Sequence, residues 1–374
     1  MNRKLTLPAV TLALGIGFSG CDLQVANPNE PDRARALASP DDVESLIASS
    51  YQQVWAMGHY WNNANFSFNH MSSRHTATWG NNGQNDLGRE PREPMPNSTS
   101  YRWSYVFSEH WNDAYGGIAA ASDGIRAIDE GLEIGPGGER NARARAFALS
   151  SQAMLSCLLA LWYDQAFIVD ETTDLTGELE TVDYNSMFSY AMGKLDAAES
   201  QARGSSFTLT DTWINGNAWD NNQWADYLVG WKARCAANMP RTDAEAAGAN
   251  WSQIISNAQN GIGNVVVVGE DSSSDSPWFD GLKTLMQENE TWHRMHMDWV
   301  GMADQSGEYQ DWLTIPTQQR TARRMTFGDD MRFPPSNENG VTSDVVSPTI
   351  ASLSTATMVM SKLQNVPRLE NIHS

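Results

Sequence analysis

The residues in this sequence best placed to do recognisable chemistry are tryptophans with asparagine beside them. Trp61 is followed by Asn62, and Trp79 by Gly80, Asn81 and Asn82. An indole offers a flat apolar face for the C–H groups of a sugar ring, and an adjacent amide supplies donors and acceptors for its hydroxyls. Trp278, Trp292 and Trp312 stand in a second stretch without regular pattern. Trp61, Asn62, Trp79, Asn81, Asn82, Trp278, Trp292 and Trp312 are therefore the candidate ligand contacts, although for any single tryptophan packing of a loop onto the helices is the commoner use. Trp111, Trp224, Trp231 and Trp251 fall on apolar helical stripes and are assigned to the core. With 15 tryptophans against 11 phenylalanines and 10 tyrosines, indole use exceeds what a core alone suggests.

Other chemistries fare less well. His293 and His296 are three apart, with Glu288 and Asp298 as the nearby carboxylates, but the order is not His-Glu-x-x-His, and no metal is expected. Asp271, Ser273 and Asp275 begin like a calcium loop, yet Ser276 replaces the turn glycine and Leu282 the bidentate glutamate. A Gly-x-Ser-x-Gly elbow, a phosphate-binding loop and a dinucleotide glycine fingerprint are all missing from the sequence. Glycoside hydrolysis needs only two carboxylates about 5–10 Å apart, which sequence cannot exclude. A non-enzyme without cofactor is expected, with a lipid-anchored glycosidase as the catalytic alternative. Cys157 and Cys235 lie on neighbouring amphipathic stretches and could bridge; free buried thiols are the expectation.

The composition bounds the partners. The 374 residues are 41% hydrophobic and 19% charged, which fits a folded body rather than a disordered chain. The formal charge of −20 repels nucleic acid and anionic lipid. Three cysteines are too few for a disulfide scaffold or a zinc ribbon.

Residues 1–20 have the layout of a secretory signal: Arg3 and Lys4, an apolar run from Leu5 to Phe18, then Ser19-Gly20 before Cys21. The run is shorter than the roughly 20 residues a membrane helix needs. Small residues directly before a cysteine are similar to a bacterial lipobox, so Cys21 is the expected lipidation site, with palmitate among the acyl chains it could carry. Acyl chains contribute about 0.8 kcal/mol per buried CH2, and two or more anchor stably. Residues 21–38, with Asn27-Pro28-Asn29-Glu30-Pro31, read as an extended tether.

Local signals along the chain mark the helices that hold these residues in place. Ser39-Pro40-Asp41-Asp42 is a helix start leading into Val43–Met57. Residues 58–97 lose periodicity and read as an inserted functional loop. Trp111, Tyr115, Ile118, Ile125 and Ile128 share one helical face, and Ala146, Ala153 and Ala160 form a small-residue seam seven apart. Further stripes run from Met187 to Ala198 behind the cap Asp183, from Trp224 to Cys235, and from Trp251 to Ile262. None can bury its apolar face alone, so stacked helix pairs joined by turns such as Gly135-Pro136-Gly137-Gly138 are expected. Val265–Val268 reads as a short buried strand, and residues 263–374 otherwise as an irregular variable region completing the same domain. The fold class is thus all-α in the main, a TPR-like core of helical pairs over 39–262 with a large loop-rich part and little β.

Three segments carry a resemblance to the SusD/RagB family of outer-membrane nutrient-binding lipoproteins. They are Asn27-Pro28-Asn29 to Tyr51 after the lipobox cysteine, the helix Trp111–Ile128, and the alanine-rich Ala142–Asp164; weaker similarity runs through Tyr184–Ala202 and Trp224–Pro240. The chain departs from the family pattern at Ser122, where asparagine is common, and at Trp162-Tyr163-Asp164 in place of a Tyr-Gly-Asp turn. It is also short for the family, as a truncated or diverged member would be. The resemblance implies four TPR-like helix pairs and a non-catalytic protein on the outer membrane, facing the exterior. It further implies an oligosaccharide or peptide ligand and a SusC-like TonB-dependent barrel as partner. A helical-repeat interaction protein without small-ligand binding is the alternative.

Overall fold

The computed structural model describes residues 37–60, 64–72, 75–77, 81–88, 94, 98–263, 268–269, 273, 275–281, 293–295, 297–316, 319, 323–324, 326 and 345–346. The signal segment, Cys21 and most of the tether lie outside the described residues, as do Trp61, Asn62, Trp79, Trp292, His296 and Val265 to Val267.

Helix α1 (Pro40–His59) begins where its capping residues direct it. Ser39 is extended, its hydroxyl accepts from the Asp42 amide at 3.4 Å, and Asp41 and Asp42 face the positive end of the helix dipole. Two short helices, α2 (Ala64–Met71) and α3 (Gln84–Gly88), follow, with strand β1 (His75–Ala77) between them. The long helices α4 (Tyr105–Asp129) and α5 (Asn141–Trp162) come next, joined by a turn in which Gly135, Gly137 and Gly138 take φ of +77°, +60° and +72°. Only glycine adopts such angles without strain, which is why this linker is glycine-rich. A hairpin of β2 (Gln165–Phe167) and β3 (Thr181–Asp183) leads to α6 (Tyr184–Arg203), capped by Asp183. Then come α7 (Asn221–Asn238), opened by a capping box of Asp220 and Gln223, and the shorter α8 (Asp243–Gly248) and α9 (Trp251–Asn260). Strand β4 (His293–Met295), helices α10 (Met297–Ala303) and α11 (Glu308–Leu313), and the strands β5 (Arg323–Arg324) and β6 (Val345–Val346) complete the described elements.

Side-chain pairings fix the directions of the long helices. Residues Ile47 and Gln53 of α1 meet Gly124 and Gly117 of α4, so the two run antiparallel. Gln152 donates to Ser122 at 2.8 Å and Arg145 to Asp129 at 2.5 Å, so α4 and α5 are antiparallel too. Lys232 with Glu199 at 2.6 Å and Arg203 with Asp226 at 2.9 Å set α6 antiparallel to α7. Trp224 donates to Ser150 at 3.0 Å, and this contact together with a disulfide further along puts α7 parallel to α5. Each long helix thus packs chiefly on its neighbours in sequence, the pattern of a helical solenoid. Among the described residues it makes three pairs, α1 with α4, α5 with α6 and α7 with α9, where the family resemblance implies four.

Helix α5 is the hub, touching α1, α4, α6 and α7. Its residues Ala146 to Ala160 are buried without a break, including Ala146, Ala153 and Ala160, whose missing bulk lets the neighbours approach. It is long and apolar enough to cross a membrane, but 89% of its apolar window is buried inside the fold. Glu44, itself buried, pairs with both Arg140 and Arg143 and ties the start of α1 to the start of α5.

Four expectations need correction. Cys157 and Cys235 are joined as a disulfide, not free thiols, because parallel packing of α5 and α7 brings their Cα atoms to 6.2 Å. Trp251 is 44% exposed rather than core, since α9 buries only Ile254. The stretch 58–97 holds α2, β1 and α3, and 263–374 is not wholly irregular. In it β4 pairs antiparallel with β1, Ala77 opposite His293, so the two irregular regions meet.

Candidate functional site: an aromatic cavity between three helices

A cavity of about 1190 Å³ opens between α1, the end of α5 and α7. Each wall is a helical stripe. Helix α1 contributes Tyr51, Trp55 and His59, four residues apart and therefore stacked along one face. Helix α7 contributes Tyr227, Trp231, Arg234 and Asn238 at spacings of four, three and four, and α5 ends in Leu158, Leu161 and Trp162. Val268 and Gly269 border the cavity from the coil, held by Asn215, whose main-chain carbonyl accepts from the Gly269 amide at 2.7 Å and whose side-chain amide donates back to the Gly269 carbonyl at 2.5 Å.

The rings are set by specific contacts. Trp55 donates its indole N–H to the Phe279 carbonyl at 3.1 Å and stacks on His59, centroids 3.7 Å apart and planes within 5°. His59 Nδ1 lies 3.2 Å from Asp280 Oδ2. Trp278 backs this wall, edge-on to Trp55 at 5.9 Å and tilted on Tyr51 at 6.3 Å. The hydroxyls of Tyr51 and Tyr227 are 2.7 Å apart. Burial, with the neighbouring Tyr227, pushes the Tyr51 phenol well above its ordinary pKa, so it stays neutral. Whichever of the two donates, the other keeps an O–H for a further acceptor.

The described lining therefore offers flat rings, a few hydroxyl and amide edges and one guanidinium, with no carboxylate among the residues that line it. Such a surface suits adsorption of a ring-containing, hydroxylated molecule; it does not present the opposed acids that glycoside hydrolysis requires. Among the described residues no three His, Cys, Asp or Glu cluster as metal ligands.

Of the candidates named from sequence, three have described side chains, and no described contact joins them. Asn82 is buried, has a φ of 54°, and accepts from the Tyr105 hydroxyl, so its side-chain oxygen is engaged within the fold. Trp312 is 5% exposed and stacks on Tyr309 at 6.0 Å. Trp278 is 7% exposed and reaches the cavity only as the second layer behind Trp55. Asn81 falls in a turn of 3-10 helix with its side chain outside the described set. Trp231, read as core, is both buried and part of the lining.

The sequence reading missed Trp55, His59, Trp162, Tyr227, Arg234 and Asn238. A signal for the first two exists: Tyr51, on the buried stripe of α1, begins an aromatic ladder at intervals of four whose next rungs, Trp55 and His59, step off that stripe. The α7 wall had none, since Trp231 and Tyr227 sit where a core stripe also would.

No model of a known protein family matches this chain, and no curated protein matches it in sequence. Among solved structures, the fold is similar to the crystal structure of a SusD superfamily protein from Bacteroides thetaiotaomicron, with a TM-score of 0.40 and 14% identity. The likeness covers 60% of this chain and 46% of that one, so this chain matches less than half the length of its relative. It is a weak and partial match.

Proposed function

We propose that this chain is an exported, lipid-anchored binding protein that holds an oligosaccharide in the aromatic cavity and passes it to a SusC-like TonB-dependent barrel, without chemistry of its own. The observation that carries the proposal is the lining: three helices supply Trp55, Trp162, Trp231, Tyr51 and Tyr227 around one space, and no carboxylate among the described lining residues faces it. Stacking on indole faces and a few aimed hydrogen bonds are how a protein gains affinity for hydroxylated rings. Export is supported by the signal-like residues 1–20 and by the Cys157–Cys235 bond, since disulfides persist in oxidising compartments. The lipobox-like Cys21, the tether over 21–38, the helical core over 39–262 with its insertion and the variable 263–374 form the proposed order of parts. The place on the outer membrane and the barrel partner rest on the sequence resemblance.

Calorimetric screening of the mature protein against oligosaccharides and short peptides tests the binding role. Retention of an oligosaccharide is the expected result, retention of peptides alone shifts the ligand class, and binding of neither overturns the proposal. The anchor is tested separately: Cys21→Ser moves the protein from the membrane to the soluble fraction, and membrane retention of that variant rejects lipidation at this residue.

A further inference from the structure

Arg234 is the one arginine or lysine on the described wall of the cavity, and no carboxylate among the described residues pairs with it. Among the arginines with described side chains only Arg102, over the Trp103 ring and away from the cavity lining, shares that state, in a molecule with 45 acidic side chains against 25 lysines and arginines. Arg126, Arg140, Arg143, Arg145, Arg203 and Arg241 each pair with a carboxylate of the fold. Arg234 instead lies with its guanidinium 4.7 Å over the Trp231 ring and is exposed. Contact with a ring face uses the flat side of a guanidinium and leaves the N–H edge available. Asn238, one turn further along the same stripe, donates its amide to the Arg234 main-chain carbonyl at 2.8 Å, which keeps its own side-chain oxygen free to accept from a hydroxyl.

We propose that the cavity selects an acidic sugar: a uronate-bearing oligosaccharide whose carboxylate takes the N–H edge of Arg234 while its rings lie along the aromatic wall. This rests on the oligosaccharide role proposed above. The planar fork of an arginine matches a carboxylate in two parallel hydrogen bonds, and an arginine with no ion pair among the described residues makes them without breaking a described one. The net charge of −20 does not oppose this at contact range. Charges beyond about 8–10 Å are largely screened at physiological salt, so the local cation decides.

The test is calorimetry of the full mature chain with trigalacturonate and with its carboxyl-reduced, neutral counterpart. The expected result is binding of the acidic trisaccharide about tenfold more tightly or better, as one charge-assisted bidentate contact would give. In Arg234→Gln that ratio falls to about one, and because Arg234 is exposed and makes no ion pair among the described residues the melting temperature stays close to that of the parent. Equal affinity for both trisaccharides, or an unchanged ratio in Arg234→Gln, overturns the acidic-sugar assignment and leaves the oligosaccharide role standing. Binding of neither overturns both. A sulfated trisaccharide bound in preference to the uronate overturns the carboxylate assignment alone.

Discussion

Trp55 joins three partners at once, the Phe279 carbonyl, the His59 ring and the edge of Trp278, while keeping part of its surface toward the cavity. Replacing it by alanine removes the largest ring of the α1 wall, and buried aromatic anchors of this kind often carry about 2 kcal/mol or more of binding. Trp55→Ala is expected to weaken oligosaccharide binding by more than tenfold, with Trp55→Phe intermediate; unchanged titrations in both would remove Trp55 from the site. His110 acts on stability instead. It is buried on α4, edge-on to Trp162, and burial lowers its pKa from 6.5 to about 4. The unfolded chain therefore takes up a proton more readily than the folded one. Its contribution to stability is present above pH 6.5 and is lost as pH falls toward about 4. The gap in melting temperature between the parent and His110→Gln should narrow over that interval, and a constant gap would refute the assignment.

The seam between α1 and α4 makes the clearest test of packing. Ile47 is fully buried and fills the space that Gly124 leaves empty, so close that a Cβ on Gly124 would enter its side chain. Ile47→Ala is expected to cost about 2–5 kcal/mol through the cavity it leaves. Gly124→Ala alone is expected to cost about 1–3 kcal/mol through overpacking. The double variant should be less damaged than the sum, because the new methyl partly fills the vacated space; strict additivity in urea denaturation would mean the two do not touch. This level of organisation was largely legible in the sequence. Ser39, Asp183 and the stripes of α1, α4, α5, α6 and α7 are local signals, each fixed by residues within one helical turn. The register between helices was not, which is why a bridge between Cys157 and Cys235, 78 residues apart, stood only as an alternative to free thiols. The same holds for the three-residue pairing of β1 with β4, too short to leave a period. The cavity was missed for a related reason. A ring facing a space and a ring facing a core occupy equivalent helical positions, and only the third dimension separates Trp231 from Trp224.

At the scale of the molecule, the disulfide is the one covalent link between distant parts of the solenoid. It joins the hub α5 to α7 across the span that includes α6. Removing it as Cys157→Ala with Cys235→Ala is expected to lower unfolding free energy by about 2–4 kcal/mol while leaving helix content intact. A reductant should destabilise the parent similarly and leave the variant unaffected; insensitivity of the parent would indicate that the thiols are reduced in the folded protein.

Cys157 immediately precedes Leu158, and Cys235 immediately follows Arg234, so the covalent bar joins two adjoining sides of the cavity. At that point their separation is held by a covalent bond. The bolt fixes the gauge between α5 and α7 at the depth of Leu158 and Arg234, while the Tyr51–Tyr227 hydroxyl contact latches α1 to the same frame, so a guest meets an enclosure whose width is set before it arrives.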